Sequence, residues 1–204
     1  MPQITGWVIE TAIRQCKEWR TAGLFTGRIG VNLSPTDLKH PDFARSVIKI
    51  LESAELDPSA LELEITEGMM IENVEAVVEN LRQIRDSGIG LAIDDFRTGY
   101  SSLAYLRRFS VDRVKIDRTF TNNIHLNPDV VVIVEAIIGM AHALGLKVVA
   151  EGVETETQLD LLRAKNSDEI QGFLFADAMP PAEFIDFVQP RKTRGWNQQN
   201  RLMA

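Results

Sequence analysis

The stretch Gly90-Leu91-Ala92-Ile93-Asp94-Asp95-Phe96-Arg97-Thr98-Gly99-Tyr100-Ser101-Ser102 decides how the rest of the chain is read. A short apolar run that ends in two aspartates and opens into a Gly/Ser/Thr loop is the pattern of a buried parallel strand delivering carboxylates to a mouth. Successive strand side chains point to opposite faces, so Asp94 and Asp95 share a site only if the strand ends there and the backbone turns. The alternative is that two aspartates merely open a turn, where Asp is favoured. The neighbouring elements weigh between the two.

Upstream, Val74, Val77, Val78, Leu81 and Ile84 recur at helical spacing and Gly88 closes that helix. Before it, Leu61 to Glu67 alternates as a strand, with its leucines on one face and Glu62 and Glu64 on the other. Two glutamates on an inner strand face are costly unless something cationic meets them. Further back, Phe43, Val47, Ile50, Leu51 and Ala54 mark a helix, Arg28 to Asn32 a strand, and Val8, Ile9, Ala12, Ile13, Cys16 and Trp19 an opening helix closed by Gly23.

Downstream, Ser101 to Phe109 reads as a short helix and Val111 to Asp117 as a strand with Lys115 and Asp117 on one face. A long helix from Asp129 to Leu144 precedes the strand Leu146 to Glu154. Leu159, Leu161 and Leu162 sit in another helix, Glu169 to Phe173 is a last short strand, and Phe184, Phe187 and Val188 fit a closing helix. The tail 191–204 is polar and basic without a periodic apolar face, and disorder is expected there.

The composition is ordinary for a globular domain, at 45% hydrophobic and 25% charged over 204 residues. A net charge of -7 argues against a sequence-indifferent grip on DNA or an anionic membrane, either of which needs a basic face. The single Cys16 excludes an internal disulfide, the opening residues carry no signal-peptide pattern, and no apolar run approaches membrane-spanning length. A cytoplasmic location is the expectation.

Strict alternation of strands and helices, with six strands, predicts an α/β fold of the TIM-barrel type. Five strands carry a polar group at or near the C-terminal end: Asn32, Glu64, Asp94 with Asp95, Lys115 and Glu151. A parallel barrel gathers those ends at one mouth. Singly, each is a solvated strand end; five in register point to a site. His40, His125 and His142 show no ligand spacing. Carboxylates with an amide suit magnesium or manganese rather than zinc, and the excess of carboxylates suits a pair of ions clamping an in-line phosphoryl displacement.

Together, Glu64-Ile65-Thr66-Glu67, Asp94-Asp95-Phe96 with Thr98-Gly99-Tyr100-Ser101-Ser102, Lys115-Ile116-Asp117-Arg118, Ala150-Glu151-Gly152-Val153-Glu154 and Gln171-Gly172-Phe173 resemble the EAL domain, the bacterial cyclic di-GMP phosphodiesterase family. The resemblance runs from Trp7 to Val188. It implies that Asn32, Glu64 and Asp94 hold one ion and that Asp95 and Glu151 join Asp94 around a second. It further implies that Lys115 orients or stabilises the attacking water and that Glu151 is catalytic as well as a ligand. Glu67 would brace the loop after Asp95. Gln171, Asp117 and Glu154 would face the substrate, cyclic di-GMP, which the family opens to linear pGpG.

Two departures from the family pattern stand out. Arg97 occupies a position where the family has glycine, so the loop is reshaped or the guanidinium reaches for a phosphate. The tripeptide Glu-Ala-Leu, whose glutamate is a ligand of the first ion in the family, occurs nowhere in the 204 residues. The expectation is therefore an N-terminally truncated EAL domain over 1–190, with about six of eight strands, weak or inactive alone. Its two open sheet edges should favour a homo-oligomer or association by edge pairing. A non-catalytic module that binds cyclic di-GMP or a protein partner is the alternative. An enolase-like barrel with a lysine base is a third reading, weakened because Lys115 has no paired lysine.

Overall fold

The computed structural model describes residues 3–71, 75–96 and 111–189. Six strands follow one another in chain order through one sheet. They are β1 (Ile29–Asn32), β2 (Leu61–Thr66), β3 (Gly90–Phe96), β4 (Arg113–Ile116), β5 (Lys147–Ala150) and β6 (Glu169–Ile170). The described helices are α1 (Gln3–Thr21), α2 (Pro35–Lys39), α3 (Phe43–Ala54), α4 (Glu67–Ile71), α5 (Glu75–Asp86), α6 (Arg118–Thr121), α7 (Pro128–Ala143), α8 (Glu156–Ala164) and α9 (Pro181–Val188); the connection from β3 to β4 lies mostly outside the described residues. The chain has the α/β architecture of the TIM-barrel type, with six strands among the described residues. Two compact units divide it, one reaching Ile93 and the other taking up Asp94 and the residues from Asp112 onward.

In the first unit, β1 lies parallel to β2 with Asn32 opposite Glu64. Leu61, Leu63 and Ile65 are fully buried on one face of β2, each contributing roughly 1.5–3 kcal/mol of transfer energy. Ile9, Ile13 and Cys16 from α1, Phe43, Val47 and Leu51 from α3, and Val77, Leu81 and Ile84 from α5 complete this core. Burial pushes the Cys16 thiol above its ordinary pKa, against the opposing influence of Arg20. On the other face of β2, Glu62 is buried and meets Arg28 at 3.3 Å, the cation that the glutamate pair demanded. Asn80 ties α5 to the segment before α3: its amide donates to the carbonyls of Leu38 and His40, and its Oδ1 accepts from the Ala44 N–H.

In the second unit, β4, β5 and β6 are parallel, with Lys115 opposite Val149 and Ala150 opposite Ile170. Val114, Ile116, Val134, Ile137, Ile138, Val148, Leu159 and Leu162 form its core. Arg113 and Glu169 pair at 2.8 Å. No residue of α9 is fully buried; Phe184 and Phe187 are half-covered.

The structure differs from the sequence reading at several boundaries. The short helices α2, α4 and α6, and a 3-10 turn at Pro58–Ala60, were not anticipated. Strand β5 stops at Ala150 and β6 at Ile170, so Glu151 to Glu154 and Gln171 to Phe173 are loop. The expected helix at Ser101 to Phe109, the Arg97 position and the tail 191–204 lie outside the described residues. No described helix is long and apolar enough to cross a membrane.

Candidate metal centre

The two aspartates of β3 are brought to one place by the backbone rather than by the end of the strand. Strand geometry continues through Phe96, but Asp95 takes φ +53°, a left-handed conformation that Asp tolerates better than most residues. Its backbone N–H donates to Asp94 Oδ1 at 3.0 Å. The alternation of faces is broken there, and a carboxylate oxygen each from Asp94, Asp95 and Glu151 lie within 4.8 Å of one another.

Lys115, from β4, sits beside this group. Its Nζ is 2.7 Å from Glu151 Oε1 and 3.2 Å from Asp94 Oδ1, and its side chain is only 6% exposed. A lysine so buried relies on the carboxylates around it to offset its lost hydration.

Several hydrogen bonds hold the loop that carries Glu151. The Glu151 N–H donates to the Ile116 carbonyl at 3.2 Å, and the buried Thr121 hydroxyl donates to the Glu151 carbonyl. Gln171 and Gly172 then run against the same loop: Gln171 N–H donates to Ala150 O at 2.8 Å, and Val153 N–H donates to Gln171 O at 3.1 Å. Only glycine fits at 172, because a Cβ there would collide with the Val153 backbone. Finally, the buried Gln158 accepts the N–H groups of Glu154 and Thr155 at 2.8 and 2.9 Å, as part of a capping box at the start of α8.

Each remaining candidate has its own local setting. Asn32, exposed at the end of β1, and the half-buried Glu64 adjoin each other in the first unit, where a Cβ at Gly30 would collide with the Glu64 carboxylate. Glu67 is buried at the start of α4. Asp117 is buried and caps α6, accepting from the Thr119 N–H at 2.8 Å. Glu154 and Gln171 are exposed. Thr121 and Gln158 were missed as supports of Glu151. Gln158 had a legible signal in its Thr-x-x-Gln spacing; Thr121 had none.

Hard oxygen donors within 4.8 Å of one another suit a divalent cation of the magnesium, manganese or calcium type, and no sulfur or imidazole stands among them. The model of the EAL domain family matches residues 1–178. The chain belongs to the EAL domain family. Cyclic di-GMP phosphodiesterase NbdA of Pseudomonas aeruginosa is 41% identical over 187 residues, which cover 92% of this chain and 24% of NbdA. The chain spans between about a fifth and a third of the length of the curated relatives it matches. Among solved EAL structures, the PaMucR phosphodiesterase in complex with c-di-GMP shares 41% identity at a TM-score of 0.84, over 89% of this chain and 74% of that one. Klebsiella pneumoniae BlrP1, in a complex with manganese and cyclic di-GMP, shares 32% identity at a TM-score of 0.72, over 83% of this chain and 43% of that one.

Proposed function

We propose that this EAL domain hydrolyses cyclic di-GMP to linear pGpG in a reaction that depends on magnesium or manganese. The observation that carries the proposal is the convergence of Asp94, Asp95 and Glu151 with the Lys115 ammonium against two of them. Water attacks phosphorus, a new P–O bond forms as the bond to the 3′-oxygen breaks, and a proton from the water ends on that oxygen. A divalent ion, when bound, polarises the phosphoryl oxygen and the attacking water.

The chain's own residues do the rest. Asp94, Asp95 and Glu151 hold the cation, and Asn32 and Glu64 add the ligands of a second position. Lys115 holds the attacking water and offsets the negative charge that grows on the phosphoryl oxygens. Gln171, Asp117 and Glu154 serve the dinucleotide side, and Glu67 braces the loop that follows Asp95. The single, buried cysteine suits a cytoplasmic setting. The outer edges of β1 and β6 favour self-association.

The test is product formation from cyclic di-GMP under manganese, for the wild-type chain and for Asp94→Asn. Linear dinucleotide from the former and loss of at least a hundredfold in the latter supports the reading. Binding without turnover assigns the chain to the sensor role; neither binding nor turnover defeats both.

A further inference from the structure

We infer that Lys115 is a tethered counter-cation of the metal centre, which competes with the divalent ion for the carboxylates of Asp94 and Glu151 and thereby limits how tightly that ion is held. This inference rests on the reading of Asp94, Asp95 and Glu151 as cation ligands. It goes beyond that reading in giving the lysine a role before any substrate arrives.

Three carboxylates with oxygens within 4.8 Å of one another repel unless a cation stands among them. Lys115 supplies one, bridging Asp94 Oδ1 at 3.2 Å and Glu151 Oε1 at 2.7 Å. The flanking β4 residues Val114 and Ile116 are fully buried, so the ammonium emerges from an apolar base and takes little of its solvation from water. An incoming divalent ion needs oxygens of the same two carboxylates that the ammonium already engages. Either Lys115 withdraws from them, or a charge of two settles a few ångströms from a charge of one; both weaken ion binding. An ion site that must be shared in this way stays exchangeable, and the same lysine remains at hand to meet the charge that develops on substrate.

The measurement is calorimetric titration of manganese into metal-free protein for wild type, Lys115→Met and Lys115→Arg. Lys115→Met keeps the length and removes the charge; it should bind manganese about tenfold tighter or better, with Lys115→Arg within roughly threefold of wild type. Equal or weaker binding by Lys115→Met overturns the inference while leaving the metal reading standing. Absence of manganese binding to every variant overturns both. If Lys115→Met does not fold, wild type alone decides: acylation of the Lys115 amine, read by peptide mass spectrometry, should rise severalfold when calcium is bound, and unchanged or reduced labelling overturns the inference.

Discussion

Asp95 donates its backbone N–H to the Asp94 side chain at 3.0 Å while holding φ +53°. This local bond and the left-handed backbone bring the carboxylates of two adjacent strand residues to one place. A β-branched residue adopts that backbone at a cost of about 1–2 kcal/mol. Asp95→Val should therefore lower unfolding free energy by that amount relative to Asp95→Asn, which tolerates the conformation. Denaturant melts of the two variants check it; equal stabilities would mean that the backbone relaxes elsewhere.

Gly172 lies so close to Val153 that any side chain there must move the loop following Glu151. Gly172→Ala should cost about 1–3 kcal/mol, the usual penalty for overpacking. It should also weaken manganese binding, because Glu151 belongs to the displaced segment. Thermal melting with and without manganese separates the two effects, and a Gly172→Ala protein of wild-type stability would contradict the collision.

Lys115→Ala should reduce kcat for cyclic di-GMP far more than it reduces affinity for the dinucleotide, since a charge that meets the transition state appears in the rate. Steady-state kinetics beside equilibrium binding gives the ratio. Parallel losses in both would make Lys115 a substrate-binding group.

Asp168 gives a handle on acid stability away from the metal centre. Burial alone would raise its carboxyl. Hydrogen bonds from His142 at 2.8 Å and from the Val148 N–H at 2.8 Å, with the nearby charges of His142 and Lys147, outweigh burial and hold it below its ordinary 3.8. A depressed carboxyl stabilises the fold above its unfolded pKa, and that contribution is lost as pH falls through the folded value. Asp168→Asn should thus be less stable than wild type at neutral pH, by about 1 kcal/mol, with the gap closing as pH falls below the ordinary 3.8 and through the lowered folded value. Urea melts across that range test it.

Open strand edges should show in solution. Among the described residues β1 pairs only with β2 and β6 only with β5, and a strand edge left in that state offers unpaired backbone groups to another chain. The 204-residue chain should associate in a concentration-dependent way, or melt early and aggregate. Light scattering with thermal melting decides, and a stable monomer would mean that these edges are covered.

All six strands and the polar residues at their ends could be read from the sequence, because apolar runs punctuated by polar ends survive folding unchanged. Strand lengths could not. Val153 is fully buried and apolar, so the run from Leu146 to Glu154 reads as one strand. In the structure Val153 is instead held by backbone bonds to Gln171 and Leu174 beyond the end of β5. The carboxylate cluster was legible through its residue types, but the turn at Asp95 was foreseen only as a strand end, since nothing in the sequence marks a single residue with positive φ. Asp117 looked like a strand residue on the Lys115 face because period two was carried one position too far; it caps α6.

The loop bearing Glu151 is fastened by the Thr121 hydroxyl, by Gly172 against Val153 and by the buried Gln158 amide. Its conformational entropy is thus surrendered when the chain folds, not when an ion arrives. A cation approaching that side meets a carboxylate already in place, so its arrival there should register chiefly in enthalpy and in displaced water, with little further ordering of the protein.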